Sequence, residues 1–290
     1  MASEQDPSIF DCSARDDLPS KPAPRFDVVI PARYASTRLR GKALLPILGK
    51  PMIVHVCERA RLSQARRVLV ATDDLRIADV VMAAGMEATM TSPDHASGTD
   101  RLAEVVSAQR FDDEHVIVNV QGDEPMLEPE LIDQVASLLQ HRSDAGLATA
   151  ATPIRNPEEL RDTNVVKVVL TQSGLASYFS RAPIPWLRDD PGSAFDAKES
   201  PQSAASFLRH IGIYAYRVGT LKALAAAPRS PAERAESLEQ LRALWLEIPI
   251  AVGVVDHAPL PGVDTQQDLN RVEQALRQRG PVSSEGSGGA

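Results

Sequence analysis

Arg33, Arg38, Arg40 and Lys42 fall close together on PARYASTRLRGK, a loop rich in small side chains. Between Pro31 and Lys50 there are five basic residues and no acidic one, in a chain whose formal net charge is -8. That local reversal of sign points to an anionic ligand. Guanidinium, ammonium and backbone N–H groups gathered in this way can meet several phosphate oxygens at once, so a triphosphate suits them better than a single carboxylate. A solvated basic loop is the plain alternative. The better-known phosphate loops do not fit: Ala43 follows Lys42, so there is no G-x-x-x-x-G-K-[ST], and no G-x-G-x-x-G follows a strand.

Other residues of chemical interest lie further on. Asp123, in QGDEP after the β-branched run HVIVNV, stands at the mouth of a buried-type strand beside a glycine that lets backbone approach closely. A carboxylate there can hold Mg²⁺ by oxygen, or it can simply form a turn or cap a helix. Ser97 and Gly98 precede a helical pattern with Thr99 as its expected N-cap and Arg101 in its first turn, which makes either an anion site or ordinary capping with a surface arginine. His210 and Tyr214 are four residues apart on a strand pattern and so share a face. His210 reads as a partly buried imidazole or a ligand contact, and the alternation of aromatic and polar residues would also serve a sheet between two copies. Glu239 and Gln240 lie off the stripe of Leu238, Leu241 and Leu244, where surface solvation is the plainer reading. Asp264 precedes Thr265, a helix N-cap, and could merely assist it.

These groups need elements to position them. The apolar run from Phe26 predicts a first strand that feeds the basic loop, the place where open α/β sheets bind ligands. Pro46 and Gly49-Lys50-Pro51 stop that loop from continuing as helix. Helical spacing over 52–64, a strand over 67–71, a helix over 75–84 closed by Gly85, and a strand over 86–91 continue the alternation of strand and helix. Residues 115–120 should form a central parallel strand, followed by a helix over 130–140 and a strand over 146–153. Regular alternation then ends. Residues 165–170 and 175–180 read as a hairpin, 187–206 as a polar, turn-rich excursion, 207–217 and 250–255 as strands, and 237–245 as a helix.

PARYASTRLRGK, DHASGTDR, QGDEP, RHIGIY, LEQLR and GVDT together resemble the CMP-Kdo synthetases (3-deoxy-manno-octulosonate cytidylyltransferases), from about Phe26 to about Leu276. The resemblance implies an α/β fold of the nucleotide-diphospho-sugar transferase type: a mostly parallel sheet with a smaller sugar-binding and dimerisation layer. It implies CTP and 3-deoxy-manno-octulosonate (Kdo) as substrates, Mg²⁺ as cofactor, CMP-Kdo for lipopolysaccharide biosynthesis as product, and a homodimer. Arg33 and Lys42 would hold the triphosphate, with Arg38 assisting. Asp123 and Asp264 would share the metal, and Arg33, Lys42, Asp123 and Asp264 would form the catalytic set. Ser97, Gly98 and Arg101 would contact the nucleotide; backbone near Ala32, Thr72 and Asp73, with Gln121, would choose cytosine. Arg181, on a stiff segment before two prolines, would suit the carboxylate of the sugar acid, and His210, Tyr214, Glu239 and Gln240 would complete its pocket. One departure stands out: RLRGKAL carries Arg40 and Ala43 where relatives commonly have prolines, which leaves the loop less preorganised; Arg40 would either face solvent, the plainer reading, or add a phosphate contact. A cytidylyltransferase for a sialic-type or 8-amino sugar acid, or a silent nucleotide-binding regulator, would share the nucleotide motifs.

At 290 residues, 43% hydrophobic and 24% charged, the chain can bury a sizeable core. Its acidic balance argues against a nucleic-acid or anionic-membrane partner. The first 24 residues lack an apolar signal region and no stretch is long enough to span a membrane, so a cytoplasmic protein is expected. Cys12 and Cys57 offer neither a disulfide framework nor a metal cluster. Residues 1–24 and 280–290 read as disordered ends around one nucleotidyltransferase domain, 25–279, with a nucleotide half to about 155 and a sugar-binding and dimerisation half from about 156.

Overall fold

The computed structural model describes residues 26–35, 39–95, 97–188, 207–257 and 259–279. Arg38, Cys12, both expected disordered ends and most of the polar excursion lie outside them.

The first strand, β1 (Phe26–Ala32), is buried almost throughout because Val28, Val29 and Ile30 are sandwiched between two helical layers. Its one buried acid, Asp27, receives Arg66 Nη2 at 2.6 Å and lies 3.2 Å from His115 Nε2. Burial works against its ionisation, but these two partners outweigh it and hold the carboxyl below its ordinary range. A 3₁₀ turn at Lys42–Leu44 and a short hairpin, β2 (Pro46–Ile47) and β3 (Lys50–Pro51), follow. Leu48 and Gly49 at the hairpin tip both have positive φ. Next come α1 (Met52–Arg61), β4 (Arg67–Thr72), α2 (Leu75–Ala83), β5 (Glu87–Met90), α3 (Gly98–Ala108), β6 (Val116–Asn119), α4 (Pro129–His141), β7 (Leu147–Pro153), α5 (Pro157–Arg161), β8 (Lys167–Leu170) and β9 (Ala176–Ser180). The later described elements are β10 (Leu208–Arg217), α6 (Val218–Ala226), α7 (Pro231–Glu236), α8 (Gln240–Trp245), β11 (Ile250–Val254) and α9 (Gln266–Arg279).

The main sheet runs β11-β7-β10-β6-β1-β4-β5, with β8 and β9 attached to β10. β6, β1, β4 and β5 are parallel neighbours, as are β7 and β11. β10 enters antiparallel between β6 and β7. The strand expected to be surrounded by parallel neighbours, β6, therefore has one on one side only. β7 runs along most of one side of β10, while β8 and β6 pair with its first and last residues on the other. Val28, Ile30 and Val118 pack toward α1 and α4, Cys57 among them with its thiol pushed up to about 12 by burial, while Val29, Ile117 and Tyr216 pack toward α3 and α6. A separate small core joins Ile47 and Met52 to Met126, Val263, Leu269 and Val272, and so fastens α9 beside the end of β6. No described helix is long and apolar enough to cross a membrane.

Candidate active site

The C-terminal ends of β1 and β6, the start of α3, the 3₁₀ turn and the segment before α9 surround a cavity of about 360 Å³. Parallel pairing of β1 with β6 puts Pro31, Ala32 and Arg33 beside Gln121, Gly122 and Asp123. The approach is close: a Cβ on Gly122 would lie 2.8 Å from the Pro31 carbonyl oxygen, so only glycine fits. On the other side of Asp123, Val263 N–H donates to its carbonyl oxygen at 2.8 Å, and a Cβ on Gly262 would come within 3.2 Å of the same atom. Two residues on, Asp264 faces the cavity. Its backbone N–H donates to Asp268, as does that of Thr265, and Thr265 caps α9 as expected.

Lys42 Nζ donates to Asp123 Oδ2 at 2.6 Å and to Asp264 Oδ1 at 3.0 Å. Burial disfavours its charge, yet the two carboxylates outweigh burial and raise its pKa, so the ammonium persists. Glu124 contributes little charge here, since burial and then Asp123 push its carboxyl up to about 8. Among the described residues no group of three or more His, Cys, Asp or Glu forms a metal cluster. Asp123 and Asp264 nevertheless direct one oxygen each at a single cation, the ammonium. Two such carboxylates together with phosphate oxygens are the hard donor set that Mg²⁺ takes.

Opposite them, Ser97 and Gly98 bring the N-terminus of α3 to the wall. The N-cap is Ser97, whose hydroxyl accepts from Asp100 N–H at 3.2 Å, and not Thr99. Thr99 is buried within the first turn and its hydroxyl donates to Glu239 Oε2 at 2.5 Å. Arg101 also lines the cavity, but it is 3% exposed and its guanidinium donates to Asp73 at 2.9 Å and to Thr91. It is a buried tie between α3 and the end of β4 more than a surface arginine.

The structure thus brings Ala32, Arg33, Lys42, Ser97, Gly98, Arg101, Gln121, Asp123, Glu239 and Asp264 to one cavity. Arg40 is exposed and outside its lining. Thr72 is fully buried behind Asp73, and neither lines the wall. His210 and Tyr214 do share a face, with ring centroids 5.3 Å apart, even though the register of β10 on β7 shifts between Ile211 and Tyr214. Burial pushes the His210 imidazole down to about 3, and its Nε2 lies 2.9 Å from the Thr149 hydroxyl. Tyr214 is held neutral by burial, then by Tyr216 and Glu239. Arg181 stands apart from the cavity, its guanidinium donating to the carbonyl oxygens of Glu236 and Thr163. Gln240 is buried, contrary to its place off the leucine stripe, because Leu238 lies before α8 begins.

Sequence reading missed His95, which lines the cavity paired with Glu104, and Asn119, whose buried Oδ1 has no hydrogen-bond partner, like the hydroxyl of its cross-strand neighbour Tyr214. The motif DHASGTDR held the signal for His95; Asn119 sat inside an apolar run that read as core.

Comparison with known proteins places the chain in a family. The profile of the cytidylyltransferase family matches residues 28–250. A 3-deoxy-manno-octulosonate cytidylyltransferase of Marinobacter nauticus is 53% identical over 257 residues, 88% of this chain and 98% of that protein. This chain belongs to that family. A relative of the same name from Hahella chejuensis is 54% identical over 87% of this chain and 97% of its own. A solved structure of CMP:2-keto-3-deoxy-manno-octonic acid synthetase complexed with CTP superposes with a TM-score of 0.76 at 42% identity, covering 88% of this chain and 99% of that one. A cytidylyltransferase from Leptospira borgpetersenii, at 17% identity and a TM-score of 0.56, shares the fold. Family membership and the nucleotidyltransferase fold were both expected from the motifs.

Proposed function

We propose that the cavity transfers a cytidylyl group from CTP to Kdo, giving CMP-Kdo and pyrophosphate in the cytoplasm as a step of lipopolysaccharide biosynthesis. The observation that carries this is the convergence of Lys42, Asp123 and Asp264 beside the basic loop and the α3 N-terminus, in a chain more than half identical to curated relatives of that name. Arg33 and Lys42 bind the triphosphate, with Arg38 added from the rest of the loop, while Ser97, Gly98 and Arg101 border the nucleotide. Cytosine is chosen by backbone near Ala32 and by Gln121, with Thr72 and Asp73 behind them and Asp73 held by Arg101. Glu239 opens the acceptor side, with His210, Tyr214 and Gln240 beyond it, and Arg181 would reach the acceptor's carboxylate only by leaving its carbonyl partners. His210 is neutral there, so it can exchange hydrogen bonds with a hydroxyl without adding charge.

The anomeric hydroxyl of the sugar acid gives up its proton to water as its oxygen attacks the α-phosphorus, the bond to the bridging oxygen breaks, and pyrophosphate leaves with that electron pair. Such a transfer chiefly needs alignment and neutralisation of charge. Mg²⁺ held by Asp123 and Asp264 would supply neutralisation and a lowered pKa for the attacking hydroxyl. The pairing of chains through the second half is a further part of this reading. Replacing Asp123 with Asn should reduce kcat roughly 10²- to 10³-fold, the scale of losing a main electrostatic group at the reacting centre, while CTP still binds in calorimetry. Near-normal turnover by Asp123→Asn would refute the assignment.

A further inference from the structure

Lys42 donates to one oxygen of each of the two carboxylates that the proposed function gives to the metal. Its backbone has little freedom. Lys42 N–H donates to the Leu39 carbonyl oxygen at 3.1 Å, Leu45 N–H returns to the Lys42 carbonyl at 3.1 Å, and the next residue, Ala43, is buried. The ammonium therefore changes partner by turning on its four-carbon stem, within a cavity whose wall also carries Arg33 and the start of α3.

We propose that Lys42 and the divalent ion compete for one cation place between Asp123 and Asp264, and that the incoming triphosphate decides the competition by drawing the ammonium onto its own oxygens. This rests on the reading that CTP and a divalent metal bind here. A dication on the same carboxylates would face the ammonium at contact distance, and in a partly buried site that repulsion is weakly screened. A triphosphate carries more negative charge than the two carboxylates and lies on the same wall as Arg33. Once it takes the ammonium, Asp123 and Asp264 lose the counter-charge they shared, and a dication restores it. Nucleotide and metal then bind cooperatively, and the coupling is reciprocal. Lys42 is a placeholder that keeps the two aspartates together until the metal arrives, in addition to holding phosphate. An ordinary structural ion pair would behave differently, because its loss would loosen the aspartates without improving their hold on a metal.

The test is Mn²⁺ binding followed by the electron paramagnetic resonance signal of the free ion, with no nucleotide present, for the wild type, Lys42→Met, Lys42→Arg and Lys42→Met/Asp123→Asn. Thermal unfolding reports whether each variant is folded, and Lys42→Gln replaces Lys42→Met if the latter is not. Lys42→Met should bind Mn²⁺ at least about tenfold more tightly than the wild type, as expected for removal of a contacting positive charge. Lys42→Arg should stay with the wild type, and adding Asp123→Asn should abolish the gain. Equal Mn²⁺ affinity in wild type and Lys42→Met overturns the competition. The same titration with CTP separates this failure from that of the underlying reading: if Asp123→Asn binds Mn²⁺ in the presence of CTP as well as the wild type does, the metal assignment is wrong and the competition falls with it.

Discussion

Adding a single methyl group at Gly122 would separate the two strand ends that make the cavity. The new carbon would meet the Pro31 carbonyl oxygen at 2.8 Å, and a backbone oxygen inside a paired strand cannot step aside as a flexible side chain can. Gly122→Ala should therefore shift Asp123 away from Lys42 and lower kcat/KM by about 10²-fold, the scale of an ångström-sized misplacement of reacting groups. Steady-state kinetics checks this, and unchanged kcat/KM would mean that the loop adapts. The need for glycine beside Asp123 was readable, since a strand end that must admit another backbone demands it. Arg33, Lys42 and Asp123 were readable for the same reason: each follows a strong strand or lies on the basic loop. The tie from Arg101 to Asp73 was not, because the sequence cannot say that a helix's first turn leans back on the end of β4.

Among the elements, the platform under Glu239 depends on one buried ion pair. Glu233 closes a capping box with Ser230 at the start of α7 and accepts from Arg242 of α8, at 2.8 Å from Nε and 2.5 Å from Nη2; Arg242 also donates to the Leu224 carbonyl oxygen in α6. Both side chains are almost fully buried. Glu233→Ala would leave a buried guanidinium without its counter-charge and should cost about 3–5 kcal/mol, measured by denaturant unfolding. A loss within error of zero would show that water or a neighbour replaces the carboxylate. Helical spacing placed Leu241 and Leu244 on one face but could not show that the opposite face is covered too, since its partner belongs to a separate short helix. The position of β6 has a similar cause. An apolar β-branched run reports burial on both faces, and it is silent on the direction of each neighbour, so the antiparallel entry of β10 was invisible.

On the scale of the whole molecule, the alternation of strand and helix up to β7 predicted the parallel layer and the edge on which the cavity sits. The second half was less legible because its role is to fold back: β10 returns into the middle of the sheet, and α9 carries the segment before it to the far side of Asp123. Asp264 thus reaches Asp123 through the packing of Val263 and the close approach of Gly262, contacts that no local pattern encodes. It was the resemblance of GVDT to the family, not spacing, that named it. On the proposed reading, the same architecture would join a nucleotide side built on β1, β6 and α3 to an acceptor side built on β10 and the short helices. The most direct measurement is pyrophosphate release with CTP and Mg²⁺, compared with Kdo, with N-acetylneuraminate and with no sugar. Rapid release with Kdo alone is the predicted result. Release only with the other acid would contradict the assigned acceptor, and CTP binding without release for any acceptor would contradict the assignment of a cytidylyl transfer to this cavity.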